Sequence, residues 1–250
     1  MPDPVVLTWR QYRLERRMFW RNPSAAFFNF LLPLLFLGFF GAILHGKQAD
    51  LDRLIPGIAG MSVMATTFTA LAYNIVFLRE SGVLKRIRGT PLPTISYFGG
   101  VAANAVTNAG LQIGIIILAG RVFFGIGWPV HWGELIGFTL LILALFTAWG
   151  TLLGTWLKRR TPLATLAIGL CVPLFFLSGP FGPISYFAPI EQLVARLFPV
   201  YYAIVVLQHA FHDFTLNTDG IGINVLILAA YALGGLILAT IALRRSTLAH

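Results

Sequence analysis

The chain has 250 residues, 57% of them hydrophobic and only 11% charged, with a formal net charge of +9. Together with a mean hydropathy of +0.79, this excludes an ordinary soluble domain and points to a single polytopic membrane domain. The basic excess sits at the ends of apolar runs, beside lipid head groups, so no nucleic-acid partner is expected, and the lone Cys171 founds neither a disulfide framework nor a metal site.

The first element is a helix over 5–21. Val5, Trp9, Tyr12 and Phe19 fall near one face and Arg10, Arg17 and Arg21 on another, which suits a helix lying in the cytoplasmic interface, although Arg16 intrudes on the apolar face. The alternative is a basic flank with aromatic anchors. The apolar run that follows has no small-residue cleavage site and is read as a retained span. A span needs about 20 apolar residues to cross about 30 Å of hydrocarbon. Such runs occur at about 25–44, 55–78, 95–119, 135–157 and 221–243, and a shorter one at 163–177 carries Pro173. Neighbouring helices can satisfy the carbonyl that a proline frees, so the shorter run is kept as a fifth span among six.

Between the second and third spans lies the basic segment 79–93. Glu80 is placed to start a short helix, Lys85, Arg86 and Arg88 to end it, and Pro91 and Pro93 forbid its continuation. Such a helix can receive a push from a cytoplasmic partner. After the fifth span, the break Ser178-Gly179-Pro180-Phe181-Gly182-Pro183 is followed by apolar pieces at 184–198 and 200–211. Each is too short to cross alone, and Pro199 separates them. They predict half-helices that dip into the membrane from one side or lie on it.

Lys and Arg sort the connections. Fourteen of the 18 fall on the N-terminal segment, 79–93, 158–160 and the C-terminus, and the other four, Lys47, Arg53, Arg121 and Arg196, on the opposite set. Basic residues stay in the cytoplasm, so both termini are expected there, with six spans and an outward-facing re-entrant segment at 179–211.

Chemistry within the chain is sparse. Gly41 to Gln48 nearly matches a phosphate-binding loop, but Gln48 stands where a Ser or Thr would hold magnesium and no strand precedes it. No paired carboxylate, His/Cys cluster or Ser/His/Asp set falls on one element, and His209 with His212 lacks further metal ligands. Charges lie at span ends rather than inside spans, so the usual mark of ion-coupled transport is missing and energy is expected from a partner. The spans carry uncharged polarity instead. Asn104, Asn108 and Gln112 recur every four residues, and Thr66, Thr67, Thr69, Tyr73 and Asn74 enrich the second span. These residues line a substrate path or a subunit interface on one reading, and make ordinary interhelical hydrogen bonds on the other.

Two motifs carry a resemblance. Glu80-x-Gly82-x-x-x-Arg86-x-x-x-x-Pro91 after the second span resembles the cytoplasmic loop of ABC-2 type transporter permeases. The stretch from Leu177 to Ile184, then Pro189, then Phe198-Pro199-Val200-Tyr201-Tyr202-Ala203, resembles the same family's outward-facing re-entrant hairpin. The likeness spans nearly the whole chain, which departs from the pattern at Pro180 and Gly182-Pro183. It implies an all-α integral membrane protein, the permease half of a bacterial exporter in the cell membrane. Two separate ABC ATPase subunits would bind ATP and Mg, and a second permease, identical or similar, would complete the path. It also implies that Glu80, Gly82, Lys85, Arg86, Arg88 and Pro91 contact the ATPase, and that Phe181, Tyr186, Tyr201 and Tyr202 cap the exit. No cofactor bound by this chain is expected. Drugs or lipid-like molecules are the expected cargo, with polysaccharide export as the alternative. Rivals from other classes are an ATP-independent secondary transporter or channel, and a membrane scaffold.

Overall fold

The computed structural model describes residues 3–82, 93–156, 169, 173, 176, 178, 188–212 and 220–248. Among the described residues all regular structure is helical. Helix α1 (Pro4–Arg21) begins where the Asp3 carboxylate accepts the Val5 N–H at 3.1 Å, with Pro4 in the first turn, where its missing N–H does no harm. Asn22 breaks the run, and α2 (Pro23–Ile43) follows, with Pro33 inside it. Next come α3 (Gln48–Met64), a π-helical turn (Ala65–Thr69) and α4 (Ala70–Glu80), stacked end to end. Helix α5 (Thr94–Phe124) is closed by Gly125 in the left-handed region at φ 67°, and α6 is Trp132–Trp156. The described residues end with α7 (Pro189–Arg196), α8 (Pro199–His212) and α9 (Gly220–Leu248).

Five stretches are long and apolar enough to cross a membrane: those in α2, α3–α4, α5, α6 and α9. The α7/α8 pair, bent by 87°, makes a sixth if counted as one span. The expected span at 163–177 lies outside the described residues except for Gly169, Pro173 and Phe176, which are helical. Two boundaries differ from the sequence reading. The second span begins at Gln48, seven residues before 55, because Asp50 in the first turn complements the helix dipole and a helix may continue past the apolar run. Glu80, expected to start a coupling helix, instead closes α4: the Ser81 N–H still bonds back to the Phe77 carbonyl at 2.9 Å, and Gly82, at φ 71°, then turns the chain out.

Helix α8 occupies the centre. Ala203, Ile204, Val206, Leu207, Ala210 and Phe211 are buried against α3, α6 and α9 in one cluster with Leu54, Ile58, Ile142 and Leu145. A helix apolar on every side is satisfied only when surrounded, which explains why a segment too short to span becomes the core. Gly60 of α3 lets Ile204 and Leu207 approach. On α6, Gly150 and Gly154 present bare backbone to the π turn and α4: a Cβ on Gly150 would lie 2.7 Å from the Phe68 carbonyl oxygen, and one on Gly154 would lie 2.8 Å from Ile75 Cβ. This is the small-xxx-small device of membrane helix packing.

Candidate functional site

The polar line of α5 faces into the subunit. Pro33 has no N–H to offer the Asn29 carbonyl one turn back, so that carbonyl is freed inside an apolar helix. Gln112 supplies the missing donor, its Nε2 reaching the Asn29 carbonyl at 2.7 Å, while its Oε1 accepts from the Thr66 hydroxyl at 2.9 Å. One turn earlier, the Asn108 Oδ1 accepts from the Arg16 guanidinium, which also lies 5.6 Å from the centre of the Trp20 ring. Arg16, out of place on the amphipathic pattern of α1, therefore sits where the polar seam needs a donor. Asn108 and Gln112 are buried. These two make interhelical hydrogen bonds within the subunit, one of the two readings the sequence left open. Asn104 has a buried Oδ1 without a partner among the described residues, and Asn74 is half-buried on α4.

The seam makes a direct prediction. Gln112→Leu strands the Asn29 carbonyl and the Thr66 hydroxyl, and should lower stability in detergent by about 1–3 kcal/mol. Pro33→Ala restores an N–H to the Asn29 carbonyl, so in that background the Gln112→Leu penalty should shrink. A double-mutant cycle read by thermal unfolding checks this, and additivity would contradict the assignment.

At one pole, where α5 begins, α1 packs alongside it, from Ser96 through Gly99 and Gly100 to Asn108. A Cβ on Gly100 would lie 2.6 Å from Gln11 Cβ and 2.9 Å from the Tyr12 backbone nitrogen. The Ser96 hydroxyl bonds to the Pro4 carbonyl at 3.2 Å. Leu71 and Ile75 of α4 pack with Tyr97 and Val101 beside them. Arg10, Arg13, Arg17 and Arg21 are exposed along α1, and Glu80 and Gly82 close α4, whose Leu71 and Ile75 pack beside the start of α5. Lys85, Arg86, Arg88 and Pro91 lie outside the described residues.

Burial against α5 pushes the Glu15 carboxyl up, with the Gln11 amide, donating at 2.8 Å, pulling back. A carboxyl raised on folding binds its proton more tightly in the folded state. Stability is therefore highest below the ordinary glutamate value and falls as pH rises through it toward the raised value. Glu15→Gln should melt higher than wild type at pH 8, with the gap closing at pH 4. An equal shift at both pH values would contradict this.

At the opposite pole, Val130 and His131 donate backbone N–H groups to the carbonyls of Phe211 and Ala210 at 3.2 and 3.0 Å. These bonds fasten the end of α8 to the start of α6. His209 lies 3.5 Å from Glu134 and stacks with His131, ring centres 5.8 Å apart. The His212 side chain is outside the described set, and among the described residues no three His, Cys, Asp or Glu groups converge to hold a metal. Of the expected exit residues, Phe181 and Tyr186 lie outside the described residues. Tyr201 is buried, and the Tyr202 hydroxyl donates to the Arg196 carbonyl at 2.9 Å. Both occupy the first turn of α8, at the end of that helix opposite its fastening to the start of α6. Sequence reasoning missed Gly150 and Gly154, although their GxxxG spacing was visible, and it missed the Pro33–Gln112 pairing, which no local pattern announces.

The comparisons agree with this architecture. The sequence profile described as ABC-2 type transporter matches residues 5–212. The inner membrane transport permease YadH of Escherichia coli (strain K12) is 25% identical over 209 residues, covering 80% of each chain. The transport permease ycf38 of Porphyra purpurea is 27% identical over 220 residues, covering 82% of this chain and 74% of its own. The linearmycin resistance permease protein LnrN of Bacillus subtilis (strain 168) is 27% identical over 179 residues, covering 70% of this chain and 46% of its own. With membrane-crossing helices wrapped around a buried α8, and a family match over most of its length, this chain belongs to the ABC-2 type transporter family and is a multi-pass membrane transport permease.

Proposed function

We propose that this chain is the membrane half of an ATP-driven exporter, working with two separate ATP-binding-cassette ATPase subunits and a second permease. The observation that carries the reading is the family match over residues 5–212. The end of the bundle where α4 stops and α5 starts is read as cytoplasmic because the basic segment 79–93 joins them there, and both termini are read as lying on that side. In this reading α1 lies at the cytoplasmic interface and the segment 79–93 is gripped by the ATPase. The α7–α8 pair is the outward-facing re-entrant hairpin, and Asn74 and Asn104 are the polar residues left for a path or for the meeting of two permeases. The cargo is a hydrophobic or amphipathic molecule, and the relative named for linearmycin resistance favours a drug-like one.

The test is reconstitution. Purified permease should bind an ATP-binding-cassette ATPase encoded beside it, and amphiphiles should stimulate hydrolysis by the complex in proteoliposomes. Replacing residues 83–92 with a Gly-Ser linker should abolish that binding. Transport by the permease alone, without ATP, would defeat the proposal.

A further inference from the structure

The corner between α7 and α8 lies deep in the bundle, by two independent rulers. Tyr231, the middle residue of the 23-residue apolar span Gly220–Ala242, donates its hydroxyl to the Leu197 carbonyl at 2.9 Å. The corner is thus one tyrosine side chain from mid-span. Separately, the 14 residues of α8 run back from its fastening at Val130 and His131, about 20 Å at 1.5 Å per residue, in a hydrocarbon layer of about 30 Å. The corner's backbone suits that depth. The Arg196 and Leu197 carbonyls at the end of α7 have no partner within that helix, and Tyr202 and Tyr231 supply one to each.

Helix α7 lies across this depth, at 87° to α8, with Ala195 buried against the protein. Ile190, Leu193 and Leu197, at i, i+3 and i+7, form an exposed stripe on the face away from Ala195, and Arg196 is exposed at its margin. Arg196 has no carboxylate partner among the described residues, and the Glu191 carboxylate caps α7 by accepting the Ala188 N–H at 3.1 Å. A guanidinium at mid-depth is costly in lipid and too far from either surface to escape readily, so it must face water or an anion. A cation beside an apolar stripe is the complement of an amphiphile with a negatively charged head.

We infer that Arg196 is the head-group recognition residue of the translocation path, selecting anionic amphiphiles whose apolar body lies along Ile190, Leu193 and Leu197. This rests on the exporter reading and names its substrate class. Arginine suits the role because its fork can hold two anionic oxygens at once.

The experiment uses the full permease–ATPase complex in proteoliposomes. Dodecyl phosphate and dodecyl maltoside share a tail, and each is added below its micellar concentration. Wild-type ATPase activity should respond to dodecyl phosphate at lower concentration than to the maltoside. Arg196→Gln should weaken the phosphate response by about tenfold or more, leaving the maltoside response unchanged, and Arg196→Lys should retain most of the phosphate response. A second arm uses Arg196→Cys in a Cys171→Ala background. A membrane-impermeant thiol reagent should modify Cys at this position, and dodecyl phosphate should protect it. Absence of modification, as expected for a residue in lipid or paired with a carboxylate of a second copy, would overturn the inference, as would equal loss of both responses in Arg196→Gln. A complex that binds ATPase but shows no anion preference overturns the inference alone. A permease that binds no ATPase, or a complex that no amphiphile stimulates, overturns the exporter reading with it.

Discussion

Gly150→Leu should leave no folded protein after detergent extraction, a larger effect than at any other glycine of the bundle. At Gly150 even a Cβ would meet backbone, 2.7 Å from the Phe68 carbonyl oxygen and 2.8 Å from that of Thr67. Backbone cannot rotate away as a flexible side chain can. The two carbonyls belong to the π turn Ala65–Thr69, which packs against α6. Overpacking a core costs about 1–3 kcal/mol when side chains can yield, and more is expected where they cannot. Gly150→Ala should therefore lower the melting temperature clearly, and Gly150→Leu should yield aggregate. Gly110 on α5, with nothing within 4 Å of its missing Cβ, is the control. Fluorescence-detected size-exclusion chromatography of Gly150→Leu and Gly110→Leu decides the matter. Similar profiles would show that the α6 contact with the π turn is not tight.

The second large effect concerns transport with the fold kept intact. Gly82 turns the chain out of α4 at φ 71°, and nothing lies within 4 Å of where its Cβ would be. An alanine there meets no clash and carries only the conformational penalty of the left-handed region, about 1–2 kcal/mol. The turn can relieve that penalty by changing conformation, which redirects the segment 83–93 while α4 and α5 remain packed through Leu71, Ile75, Tyr97 and Val101. Gly82→Ala should thus insert and melt like wild type, keep basal ATPase activity in the reconstituted complex, and lose most substrate-stimulated activity and export. Gly82→Asn, which tolerates this region better, should retain more. Replacing Glu80 at the end of α4 should weaken coupling in the same way. Export at the wild-type rate in Gly82→Ala would reject the coupling role proposed for the segment 79–93.

Much of this molecule is written in local pattern. The described spans follow from runs of apolar residues of the length a bilayer demands, and the break before Pro199 follows from a residue that cannot donate its N–H. The family was legible because Glu80, Gly82, Arg86 and Pro91 are spaced along one short segment. The site was less legible. Asn108 and Gln112 looked equally suited to a path and to helix pairing, and their partners Arg16, Asn29 and Thr66 lie too far away in the chain for any local pattern to announce them. Tyr202 read as an exit residue without any indication of its depth.

What the sequence determined by itself is the class of environment, where the long apolar runs fall, and the segregation of charge along the chain. Each depends on the free energy of moving a residue between water and lipid, which a residue carries with it whatever its neighbours. What only the tertiary structure decided is which carbonyl Gln112 completes, that α8 is central, and how deep Arg196 lies. Those depend on groups far apart in the chain, such as Asn29 with Gln112 and Leu197 with Tyr231, meeting at hydrogen-bonding distance. In a medium that offers no competing water, such meetings settle how the helices pack.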